Sequence, residues 1–219
     1  MKVFMRIINK ASDIKAPRQV QQKLKSKWFI GLDKATVKSL ESMSAEEFFP
    51  KACQRILKPT GIPEKCYPPV VFEDLSRFHS QAIAAYDLCE NYLSASTKFL
   101  KRSSAKKFAT CSHELTHYVQ SVNIYRTAGL GEEAVKKYSS ELAKEGNVSY
   151  EAAYSKLENL RKNLVAEMGE ISPDSKEGKR AKKLFTEFIS DSRPEAAERE
   201  AHRKRNLAYF EYLYAKFFK

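Results

Sequence analysis

A chain of 219 residues, 42% hydrophobic and 30% charged, is long enough to bury a sizeable core and reads as one domain with an appendage. Its 7 glycines and 8 prolines favour a helix-rich body over collagen-like or low-complexity classes, and no apolar run approaches the roughly 20 residues of a membrane span. The formal net charge of +12 suggests an anionic partner, and its distribution matters.

Residues 1–27 hold eight Lys/Arg and one acid, a net +7, while the 31 basic and 26 acidic side chains of 28–219 nearly balance. Residues 1–30 therefore read as a basic arm, able to touch nucleic acid or an acidic protein surface, or simply to aid solubility. With only Phe4 ahead of Trp28, the arm lacks the aromatic-plus-basic pattern of a single-strand binder. Residues 3–9 have the composition of a short strand, but the apolar patch is too short for a signal peptide and has no small-residue cleavage site. A cytoplasmic location is expected, with no membrane partner.

Further on, Ser44-Ala-Glu-Glu47 is a capping box that predicts a helix to about Ile56, closed by Pro59-Thr-Gly-Ile-Pro63. Phe48, Cys53, Ile56 and Leu57 form its core-facing stripe. Pro68-Pro-Val-Val-Phe-Glu73 predicts a strand with its prolines at the start, where a missing N–H does least harm. Residues 83–86 and 92–96 flank a connector of hairpin length, Asp87-Leu-Cys-Glu-Asn91. If the second of these strands is a sheet edge, its backbone can hold an extended peptide by strand addition.

A helix is predicted from Ser103 or Ser104 to Tyr125, broken by Gly129-Leu-Gly131. Helices follow at about 132–144 and 149–168, and a third begins at Ser172-Pro173. Residues 126–192 show no chemical motif and read as a helical insertion within a domain spanning 31–219. A last helix opens near Arg193-Pro194 and carries Leu207, Phe210, Leu213, Tyr214 and Phe217 as an apolar stripe. The cysteines, Cys53, Cys66, Cys89 and Cys111, form no C-x-x-C pair, so free buried thiols are expected rather than a zinc ribbon or redox motif.

The chemistry gathers at His113-Glu114-Leu115-Thr116-His117, an H-E-x-x-H sequence in a chain with only 4 histidines. Residues four apart on a helix share a face, so the two imidazoles can grip one ion, and Zn²⁺ accepts such nitrogen ligands. Glu114 follows the first ligand, where its carboxylate reaches a bound water instead of the metal. Phe108, Cys111, Leu115, Tyr118, Val119 and Val122 make an apolar stripe on the side away from the histidines. A catalytic zinc needs a third protein ligand and an open position. The candidates are His79, Glu195, Glu198, Glu200 and His202. Glu198 lies between Ala197 and Ala201, small residues that permit close helix approach, and Glu200 points about 200° away round the same helix, so only one of the two can face the metal.

The run Ser112-His-Glu-Leu-Thr-His-Tyr-Val-Gln120, the hairpin before it and the later Arg-Pro-(x)-Glu-x-Glu-Ala segment resemble the zincin metallopeptidases of the gluzincin kind, most of all small ones encoded by bacteriophages and bacteria. The resemblance covers roughly residues 68–125 and 190–215. It implies an α+β, helix-rich fold with a small sheet, an active-site helix and a C-terminal helix carrying the third ligand. In that family a glutamate of an E-x-x-A element completes the site, which here is Glu198-Arg-Glu-Ala201, with Glu200 as fallback. His202 stands where related sequences have aspartate. The metzincin pattern is excluded, since position 120 is Gln and position 123 is Asn. Zinc-dependent hydrolysis of a protein or peptide is the implied activity, with His113, His117 and Glu198 on the metal and Glu114 as base. His202 or Tyr209 are candidate oxyanion donors, and Gln120 a support for His117. A virion or scaffold role without catalysis is the competing expectation, motivated by the arm and the insertion.

Overall fold

The structure is a computed structural model that describes residues 30–73, 75, 83–87, 91–144, 148–190 and 195–218. The predicted strand at 3–9, most of the basic arm, His79, Cys89, Gly146-Asn147 and Arg193-Pro194 lie outside the described residues.

Helix α1 (Lys34–Ser42) starts where the Asp33 carboxylate accepts the Thr36 N–H at 2.7 Å. Helix α2 (Ala45–Leu57) opens on the expected capping box, with Glu47 N–H on Ser44 Oγ (3.2 Å) and Ser44 N–H on Glu47 Oε2 (3.0 Å). Two short 3₁₀ turns then lead to β1 (Val70–Phe72), β2 (Ala84–Asp87) and β3 (Tyr92–Ala95). The hairpin forms as predicted, and Asn91, at the end of its connector, takes a left-handed φ of 52° that asparagine tolerates.

The strand order is β1-β3-β2, with β1 parallel and β2 antiparallel to β3. The second hairpin strand is thus the middle of the sheet, so the condition for strand addition on it is not met. Leu93, Ser94 and Ala95 are all fully buried, which suits a strand flanked on both sides. Among the described residues, β1 and β2 are the two edges. Ser96 N–H bonds Ile83 C=O at 2.9 Å, so Ile83, Ala85 and Asp87 turn their backbone groups inward, while Ala84 and Tyr86 turn theirs out.

After a one-turn helix α3 (Thr97–Leu100), α4 (Ser104–Arg126) runs through the centre of the molecule. The sequence pattern suggested an apolar stripe on one side. Phe108, Cys111, Leu115, Tyr118 and Val122 are indeed buried, but so are Thr110, Ser112, Thr116, Gln120 and Ser121. The buried hydroxyls of Thr110, Thr116 and Ser121 donate to carbonyls four residues earlier at 2.9, 2.7 and 3.0 Å, which lets α4 be polar and enclosed at once.

Helices α5 (Leu130–Lys144), α6 (Tyr150–Met168) and α7 (Lys176–Ile189) form the region read as an insertion, and all three pack on α4. Two boundaries differ from expectation. The break after α4 spans only residues 127–129, and Gly131 lies inside α5, where a Cβ would collide with the Tyr125 carbonyl oxygen. Helix α7 is capped by Ser175, which accepts the Gly178 N–H at 2.9 Å, not by Ser172. The Ser172-Pro173 turn folds back over the first turn of α7, and a Cβ on Gly178 would strike the Ser172 carbonyl.

Helix α8 (Glu195–Phe218) lies antiparallel against α4, with Ala197, Ala201, Ala208 and Ala215 buried along it and Phe108 against Tyr212 at 5.5 Å. Farther along α8, the buried Glu211 carboxylate accepts Ile30 N–H at 3.0 Å and Leu32 N–H at 2.8 Å. Glu211→Ala would strand both donors; the expected loss is about 3 kcal/mol, a fall in melting temperature of about 6–12 °C by thermal denaturation. No helix of the described residues is long and apolar enough to cross a membrane.

Candidate metal centre

His113 and His117 project from one face of α4, one turn apart, with ring centroids 5.0 Å from each other. Across the seam, Glu198 in the first turn of α8 faces both: Oε2 is 3.5 Å from His113 Nε2 and Oε1 is 3.4 Å from His117 Nε2. The three ligand atoms lie within 4.8 Å of one another. The two nitrogen–oxygen separations are long for hydrogen bonds. Each, ending on a different oxygen of Glu198, is close to the ligand-to-ligand edge of about 3.3 Å in a tetrahedron with bonds of roughly 2.05 Å. Buried Ala197 and Ala201 explain how α8 comes so near. The donor set could hold a metal ion, and nitrogen with carboxylate ligands is chemistry that zinc accepts.

Other candidates fall elsewhere. Glu200 points away and is held by Gln120, Arg180 and Lys204. Glu195 is exposed and pairs with Arg199 at 3.0 Å. His202 sits at the mouth of the site, its ring 4.8 Å from His113 and its Nε2 3.6 Å from Glu198 Oε2. Tyr209 lines a neighbouring groove with Arg205 and Lys106.

Two of the three groups, His113 and Glu198, are held in the charge state that ligation needs at neutral pH. Burial, together with the neighbouring His117, lowers the His113 pKa to about 4, keeping its nitrogen free of a proton. Burial pushes His117 down as well, but Glu198 and Glu114 outweigh it and the net shift is upward. The His117 imidazole at 3.4 Å takes the Glu198 carboxyl down to about 2, so it is ionised. Glu114 is different. Enclosure raises its pKa to about 7, against the opposing effects of His117 and of the Tyr86 N–H that donates to Oε2 at 3.2 Å.

One support was expected from the sequence, Gln120, and a second, Arg180, was not. Gln120 Oε1 lies 3.0 Å from His117 Nδ1, and Gln120 Nε2 donates to Glu200 Oε2 at 3.0 Å. Arg180, on the helical insertion, ion-pairs with the same Glu200. Burial alone would raise the Glu200 carboxyl, but Arg180, Gln120 and Lys204 hold it below the usual range, and Glu200 in turn anchors Gln120. The i+3 spacing of His117 and Gln120 gave the first; nothing local pointed to Arg180. Gln120→Leu keeps the volume but removes the His117 partner, so zinc affinity should fall about 10–100-fold in chelator competition.

No family model, curated protein or solved structure matches this chain.

Proposed function

We propose that the chain is a zinc-dependent peptidase. The observation that carries this is the Tyr86 N–H bond to Glu114 Oε2. It sets the outward-facing backbone of an edge strand beside a half-buried carboxylate that adjoins a His-His-Glu trio. A peptide can add to such an edge through main-chain hydrogen bonds, which brings an amide to the trio whatever its side chains.

His113, His117 and Glu198 would hold the metal. A bound zinc would supply Lewis-acid polarisation of water and of the scissile carbonyl. The rest falls to the chain's own groups. The Ala84 N–H and C=O and the Tyr86 C=O orient the substrate strand, the Tyr86 N–H being taken by Glu114. Glu114 Oε1, the oxygen not bonded to Tyr86, takes a proton from the attacking water as the oxygen–carbon bond forms. It returns that proton to the leaving amine as the carbon–nitrogen bond breaks. A base with a pKa raised toward neutrality suits both halves of the transfer. Gln120 holds the His117 ring in one orientation, and Glu200 with Arg180 holds Gln120.

The purified chain should contain about one zinc, lose cleavage of an unfolded protein substrate on chelation, and regain it with added zinc. Absence of metal at neutral pH would end the reading. Zinc held with no cleavage of any unfolded substrate would favour a metal-stabilised scaffold.

A further inference from the structure

The helices that carry the trio also border a groove farther along the same seam. It has a volume of about 460 Å³ and is lined by Lys101, Arg102, Ser103 and Lys106 around the start of α4, with Arg205 and Tyr209 of α8. Four of these side chains are cationic, and no carboxylate lines the groove among the described residues. Elsewhere the half-buried Arg161 and Lys204 are matched to acids, Glu132 with Glu158 and Glu200 respectively, while Arg55 and Arg126 are met by backbone carbonyls. Here Arg102 donates only to Thr110 Oγ1, at 3.4 Å, and Lys101, Lys106 and Arg205 have no ion pair among the described residues. Burial and the nearby Arg205 push the Arg102 guanidinium down from its ordinary pKa. Like charges gathered without an acid favour whatever anion enters between them.

The groove also adjoins the reacting centre. Ala109, on its wall, precedes His113 by one turn, about 6 Å along α4. Arg205 follows His202 by one turn of α8, and its charge bears on both His113 and Glu114. A pocket of this size takes a side chain or a chain end. A nucleic-acid strand would need a run of stacking faces, and among the described residues Tyr209 is the sole aromatic ring on the wall.

We propose that this groove is a subsite for a carboxylate of the substrate, borne by an acidic side chain near the scissile bond or by the peptide's C-terminus, so that the site prefers acidic peptides. The proposal takes its substrate class from the peptidase reading, but its test does not need turnover. The full chain carrying Glu114→Gln is titrated by fluorescence anisotropy with labelled peptides of one sequence. These differ by Glu or Gln at single positions, and each is made as free acid and as amide.

The Glu or free-acid form should bind about tenfold tighter than its neutral counterpart. That preference should be lost in Lys106→Gln and in Arg205→Gln, with neutral peptides bound as before. Lys106 is exposed, so its variant guards against a loss of fold at half-buried Arg205. The Glu/Gln pair and the acid/amide pair separate the two carboxylate sources. Equal binding of all four forms overturns the proposal, as does a preference that survives both substitutions or an oligonucleotide that displaces the peptides from the groove. Acidic peptides bound by the zinc-loaded wild type but never cut would refute the peptidase and leave the subsite standing. Cleavage indifferent to charge would do the reverse.

Discussion

Glu114→Gln is expected to leave zinc bound and to lower peptide hydrolysis by about 10²–10⁴-fold, the contribution of a positioned acid–base group. Glutamine has nearly the same shape and can still accept the Tyr86 N–H that meets Oε2 at 3.2 Å. It cannot take up a proton. His113, His117 and Glu198 are untouched, so elemental analysis and initial rates on one preparation separate binding from chemistry. An unchanged rate would assign the proton transfer to another group. The same variant has a signature in stability. Enclosure raises the Glu114 pKa from 4.5 to about 7. A carboxyl raised in this way favours the fold fully below its unfolded pKa, and that advantage is lost as pH rises through the folded value. At pH 8 the metal-free wild type therefore carries the cost of a buried ionised carboxylate, and Glu114→Gln should melt higher by about 5 °C. Near pH 4, where the carboxyl is protonated in both states, the gap should close.

The second large effect separates two glutamates that lie two residues apart. Glu198→Ala should weaken zinc binding well beyond the about 10–100-fold that loss of a supporting contact costs, whereas Glu200→Ala should stay within that range. Glu198 carries an oxygen within 3.5 Å of each imidazole, and Glu200 reaches the site only through Gln120. Competition with a chelator of known affinity measures both. The reverse order would make Glu200 the third ligand. A small effect in both, with a large one in His202→Ala, would give that place to the histidine at the mouth of the site.

Local sequence was enough for the elements that cap and pattern themselves. The Ser44–Glu47 box, the 83–96 hairpin, the long helix bearing His113 and His117, and the alanines that let α8 approach were all legible, because caps, turns and side-chain periods act over a few residues. So was the rule that Glu198 and Glu200 cannot share a face. Which of them faces the histidines was decided by the rotation of α8 against α4, set by packing of Ala197, Ala201 and Ala208 some eighty residues from the motif. The edge of the sheet was likewise a tertiary matter: the strand alternation of the hairpin is blind to β1 arriving beside β3. The enclosure of α4 escaped its pattern because Thr110, Thr116 and Ser121 satisfy their own hydroxyls and so can be buried while reading as polar. The Gln120–Glu200–Arg180 support and the cationic groove joining Lys106 to Arg205 exist only where three helices distant in sequence meet. Residue type and spacing placed His113, Glu114 and His117 together on one helix, since the helical period is a local property. Its surroundings, and with them the charge a substrate meets, depended on long-range packing that no short stretch of sequence encodes.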